Sequence, residues 1–81
     1  MAQPPITNTI RRLRFEHDEM TQADLAERIG MTRQTIAAIE KNKYSPSLEA
    51  AFRIAEVFGA PIGEVFQWKA THAGKDNMTT D

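Results

Sequence analysis

The 81-residue chain contains no cysteine. Disulfides and thiolate zinc sites are therefore excluded, and the composition suits a reducing cytoplasm, the compartment expected here. No apolar run approaches the roughly 18 residues that a membrane span needs, so no membrane partner is expected. The opening residues, MAQPPITN, have neither a basic n-region nor an apolar h-region, so no secretory signal is expected either. Internal repeats and low-complexity tracts are missing. His17 and His72 each lack a second ligand at metal spacing and read as surface histidines, with no metal expected. There is no Ser-His-Asp set, paired-carboxylate cleft or Gly-rich phosphate loop, so the chain reads as a non-enzyme without cofactor or small-molecule ligand. Strong charge of one sign is also lacking. Ten basic and 11 acidic residues give a net charge of −1, which argues against a polycation. Any nucleic-acid contact then requires segregated charge.

What is there is one small domain, 41% apolar, enough for a single modest core. The chain is organised around Gln22 to Lys41, QADLAERIGMTRQTIAAIEK. Leu25, Ala26 and Ile29 share one helical face, and Ile36 and Ile39 share another. Gly30 supplies a turn residue tolerant of positive φ. Thr32 supplies an N-cap for the second helix. Ala26 is the small residue that two steeply crossing helices need where they touch. The outer face of the second helix is then Arg33, Gln34, Ala37 and Ala38, polar at its start and small one turn later.

Around this unit, residues 1–6 read as an arm, because Pro4 and Pro5 disfavour a helix. Thr7 or Asn8 caps a first helix running to about His17, with Ile10, Leu13 and Phe15 as its apolar members. His17, Asp18 and Glu19 form a loop, and Thr21 caps the next helix, with Asp24 in its first turn. After Glu40 comes a polar loop in which Asn42 takes a left-handed conformation. Ser47 caps a fourth helix from Leu48 to about Phe58. Leu48, Ala51, Ala55 and Phe58 are expected to face the core, and Ala50, Ile54 and Val57 form an adjacent stripe. So wide an apolar band means either a helix buried on most sides or a partner surface. Gly59 ends it, and Pro61 opens a short fifth helix to about Phe66. Ile62, Val65 and Phe66 plug the core, Gln67, Trp68 and Lys69 run extended, and residues 70–81 read as a mobile tail.

The strings TQADLAERIG (21–30) and TRQTIAAIEK (32–41) resemble the two motif helices of the Cro/cI-type (XRE) helix-turn-helix regulators. YSPSLEAAFRI (44–54) and GEVFQW (63–68) look like the later segments of the compact one-domain branch of that family. The resemblance implies an all-α, five-helix, lambda-repressor-like DNA-binding domain over residues 7–69, ending in a short extended segment. It places Arg33, Gln34, Ala37 and Ala38 at base-reading positions. Arginine suits the O6/N7 edge of guanine and glutamine the N6/N7 edge of adenine, while the alanines touch a thymine methyl or simply do not obstruct. It places Gln22, Thr32, Thr35, Lys41, Asn42, Lys43 and Tyr44 on phosphates, which set register. Taken outside this resemblance, Arg33 with Gln34 is equally an ordinary solvated face, and Lys41 with Lys43 ordinary loop charges. The family also pairs an arginine late in the first helix with the glutamate ending the recognition helix; Arg14 and Glu40 match that pattern. Two departures stand out. The loop at 17–19 is longer by about one residue than usual, and Asn42 stands where many relatives have glycine.

The expected function is a sequence-specific transcriptional regulator of double-stranded DNA, a repressor acting as a homodimer on a pseudo-palindromic operator. Two recognition helices about 34 Å apart would be needed for tight binding. Val57, Phe66 and Trp68 are the expected dimer surface. The alternative is a protein-interaction module, such as an antitoxin or adaptor, on the same helical fold.

Overall fold

A computed structural model describes residues 5–68. Among them, five helices and two short strands follow in the order β1 (Ile6–Asn8), α1 (Ile10–Glu16), α2 (Gln22–Ile29), α3 (Arg33–Glu40), α4 (Leu48–Phe58), α5 (Ile62–Val65) and β2 (Phe66–Trp68). Residues 1–4 of the expected arm, Lys69, His72 and the whole expected tail at 70–81 lie outside the described residues.

The helices start and stop where local chemistry says they should. The hydroxyls of Thr21, Thr32 and Ser47 each accept a hydrogen bond from the backbone N–H three residues on, at Asp24, Thr35 and Ala50. Each satisfies an N–H that the helix itself cannot. Thr21 and Asp24 close a full capping box. The three central helices also end alike. Beyond α2, α3 and α4, a residue turns left-handed: Gly30 at φ 75°, Asn42 at φ 60° and Gly59 at φ 62°. The next N–H then reaches back five residues, from Met31 to the Ala26 carbonyl, from Lys43 to Ala38 and from Ala60 to Ala55, at 2.9, 2.9 and 3.1 Å. This is the Schellman closure, and it explains why glycine or asparagine stands at those points.

The core joins all five helices. Ile10, Leu25, Ile36, Ile39, Ile54 and Val65 are its fully buried large side chains, with Leu13, Met20, Ile29 and Phe58 packed round them. Val57, Ile62 and Phe66 are half-buried against it.

Four expectations need correction. The segment at residues 6–8 is not a free arm running into a helix. It forms β1, antiparallel to β2, with Ile6 opposite Trp68, Thr7 opposite Gln67 and Asn8 opposite Phe66. The Thr9 N–H continues the ladder to the Val65 carbonyl at 2.9 Å. The backbone groups of an extended arm need partners, and the extended segment after α5 supplies them. Consequently α1 begins at Ile10, with Asn8 accepting from the Ile10 N–H at 3.1 Å in place of a standard cap bond. Phe15 is not a core residue of α1 but is 68% exposed. Leu48 likewise does not face the core and is 71% exposed. It occupies the first turn of α4, and Ala50 and Ala51 take the inward positions instead. The connection at 17–19 is compact: Asp18 and Glu19 both take positive φ, and the turn delivers Met20 into the core.

Candidate nucleic-acid interface

Helix α3 has a wet face and a dry face. Ile36 and Ile39 are buried, whereas Arg33 and Gln34 at its start are exposed and Ala37 and Ala38 are half-buried. The periodicity of 3.6 residues per turn requires this split once the two isoleucines are inward. Thr32 fixes the start of the helix, its Oγ1 accepting from the Thr35 N–H at 3.1 Å and lying 2.9 Å from the Thr35 hydroxyl.

A chain of side-chain hydrogen bonds runs from the exposed tip of α3 to the base of α1. The Arg33 Nη1 donates to the Gln22 Oε1 at 3.3 Å. The Gln22 Nε2 donates to the Glu40 Oε1 at 3.1 Å. Arg14 then grips both carboxylate oxygens, its Nε donating to Oε2 at 2.6 Å and its Nη2 to Oε1 at 3.1 Å. The remaining Arg14 Nη1 donates to the Met20 carbonyl at 2.8 Å. Arg14 and Glu40 are mostly buried, with 15% and 9% of their side-chain surface exposed, so the fork geometry does more here than at the solvent-exposed pairs Arg12–Glu16 and Arg53–Glu49. The pair thus joins the first helix to the last turn of α3.

The other residues named for the interface sit on the surrounding rim. Thr35 and Asn42 are half-buried, and Thr32, Lys41, Lys43 and Tyr44 are exposed. Gln22, read as a phosphate ligand, also has its amide between Arg33 and Glu40. Val57, Phe66 and Trp68 are not part of this face. They lie on α4 and β2, with Trp68 69% exposed beside the half-buried Phe66.

Two structural contributors escaped the sequence reading. Asn8 donates through Nδ2 to the Ile39 carbonyl at 2.8 Å and to the Asn42 Oδ1 at 3.2 Å, tying β1 to the end of α3. Met20 contributes the carbonyl that completes the grip on Arg14. The only signal for Asn8 was a polar amide just ahead of a helix, which reads as an N-cap. Nothing in the sequence marked the Met20 carbonyl. Among the described residues, no cluster of His, Asp and Glu side chains is placed to hold a metal ion, and no helix is long and apolar enough to cross a membrane.

Comparison with known proteins agrees with this geometry. The helix-turn-helix family model matches residues 10–65. An uncharacterized HTH-type transcriptional regulator of Methanocaldococcus jannaschii is 51% identical over 59 residues, covering 73% of this chain and 88% of that protein. The cryptic phage CTXphi transcriptional repressor RstR of Vibrio cholerae is 39% identical over 59 residues, covering 73% of this chain and 52% of that one. The crystal structure of a candidate DNA-binding protein from Bacteroides fragilis superposes with a TM-score of 0.67 at 26% identity, over 76% of this chain and 98% of that one.

Proposed function

Because this chain belongs to the XRE-type helix-turn-helix family of DNA-binding transcriptional regulators, and is not an enzyme, we propose that it is a repressor. In this reading it occupies a pseudo-palindromic operator as a homodimer in the cytoplasm. Arg33 and Gln34 read base edges, with Ala37 and Ala38 closing over the neighbouring step. Gln22, Thr32, Thr35, Lys41, Asn42, Lys43 and Tyr44 hold phosphates and set the register.

The observation that carries the reading is the two-sided α3. Its inner isoleucines are locked in the core, while Arg33 and Gln34 face solvent at the end that enters a major groove first. The similarity to a phage repressor supports repression over activation. The exposed Trp68 and the half-buried Val57 and Phe66 form the dimer surface, since one helix of this size buries too little for tight specific binding.

Selection of bound duplexes from a random pool tests base readout and the homodimer together. A recovered motif with two inverted half-sites about one helical turn apart supports the dimer. An asymmetric motif of a single half-site removes the homodimer, and recovery of no motif removes base readout. A second reading, that the chain also docks another protein as an antitoxin or adaptor does, is favoured by one feature. Leu48 and Phe52, four residues apart on α4, are both exposed.

A further inference from the structure

A groove of about 370 Å³ runs between α1 and α3, lined by Arg11, Arg14, Gln22, Ala37, Glu40 and Lys41. Its charge is unbalanced. Glu40 is the one acid lining it, and Arg14 already takes both oxygens of that carboxylate. Arg11 and Lys41 are exposed cations that form no salt bridge among the described residues. Their situation differs from that of Arg12 on the same helix, which reaches Glu16. Ala37 contributes only a methyl group, so no bulky side chain from the middle of α3 fills the space between the two cations.

Two uncompensated cations in one groove suit an anion with several acceptor oxygens on a single centre. The groove also borders the helix that presents Arg33 and Gln34. We propose that it seats one backbone phosphate of the DNA duplex, held by Arg11 from α1 and by Lys41 from the end of α3. This rests on the DNA-regulator reading and extends the contact surface to a helix outside the helix-turn-helix unit. Arg11 carries no base information. It fixes how deeply and at what tilt α3 lies, as phosphate contacts do. Arg14 takes no direct part, because its guanidinium is occupied by Glu40 and by the Met20 carbonyl.

The test is a fluorescence-anisotropy titration of the full chain against a selected duplex and a scrambled one, between about 50 and 200 mM salt. Arg11→Gln weakens binding to both duplexes by the same factor. Combining it with Lys41→Gln lowers the slope of log K against log salt by about 0.9, the value for one phosphate. The advantage of the unaltered chain then shrinks about 3.5-fold across that salt range. Arg12→Gln removes the same charge from the same helix and leaves the slope unchanged. Thermal melts confirm that each variant is folded.

An unchanged slope in the double variant overturns the proposal, and so does Arg11→Gln binding both duplexes as tightly as the unaltered chain, because Lys41 alone would then account for the drop. So does an equal drop with Arg12→Gln, which would mean diffuse charge and no defined seat. A drop near 1.8 means two separate phosphates and overturns the shared seat. Should the unaltered chain retain no duplex even at the lowest salt, the regulator reading itself fails, a result separate from any of these.

Discussion

Removing the Glu40 carboxylate while Arg14 stays in place leaves a guanidinium in a pocket where only 15% of its side-chain surface reaches solvent. Glu40→Ala deletes three hydrogen bonds at once: two from Arg14 and one from Gln22. The Met20 carbonyl alone then faces the buried charge. Breaking a buried pair from one side costs about 3–5 kcal/mol. The pair here keeps some solvent contact, so about 3 kcal/mol is expected. A domain of this size has a total stability on the order of 5–10 kcal/mol, so the loss is a large share of it. In a thermal melt followed by circular dichroism, the midpoint should fall by roughly 12–24 °C, taking about 4–8 °C per kcal/mol. The companion variant is Arg14→Met with Glu40→Leu, which removes both charges and keeps apolar volume. Much of the lost stability should return, because the desolvation cost disappears with the pair. A Glu40→Ala loss below about 1 kcal/mol, the value of a surface ion pair, would refute the reasoning.

Arg33→Ala should weaken binding to the selected operator by about 5- to 150-fold, the range for one bidentate base contact, and affect a scrambled duplex far less; equal losses in anisotropy would make Arg33 a phosphate contact. Gly30→Ala has open space for its Cβ, so its cost comes from the left-handed backbone alone, at φ 75°. A destabilisation of about 1–2 kcal/mol is expected in chemical denaturation, and a neutral result would mean the turn relaxes to another conformation. Thr32→Ala should cost about 1 kcal/mol through loss of the α3 cap, and Thr32→Ser should recover most of it by the same assay. Trp68→Ala should move the sedimentation-equilibrium mass toward the monomer while leaving the folded circular dichroism spectrum intact. A mass unchanged over a dilution series would remove Trp68 from the dimer surface.

How much of this was readable in advance depended on the distance over which each cause acts. The ends of the three central helices were legible because a cap is decided within about five residues. Thr21, Thr32 and Ser47 could be named as starts, and Gly30, Asn42 and Gly59 as stops, from the chain alone, and all six behave so. The buried faces of α2 and α3 followed from apolar spacing for the same reason. The Arg14–Glu40 pairing, 26 residues apart, came from the family resemblance and from no local pattern.

Sequence by itself determined where the central helices begin and end and which sides of α2 and α3 are dry, because backbone hydrogen bonding and a 3.6-residue period are local. Tertiary structure alone decided what joins them. It paired β1 with β2 from opposite ends of the described chain and turned Leu48 and Phe15 outward. It set Asn8 on the end of α3, and strung Arg33, Gln22, Glu40 and Arg14 into one hydrogen-bonded line. Those contacts exist only once the core has fixed the distances between helices, and no local pattern in the chain encodes a distance between residues far apart in sequence.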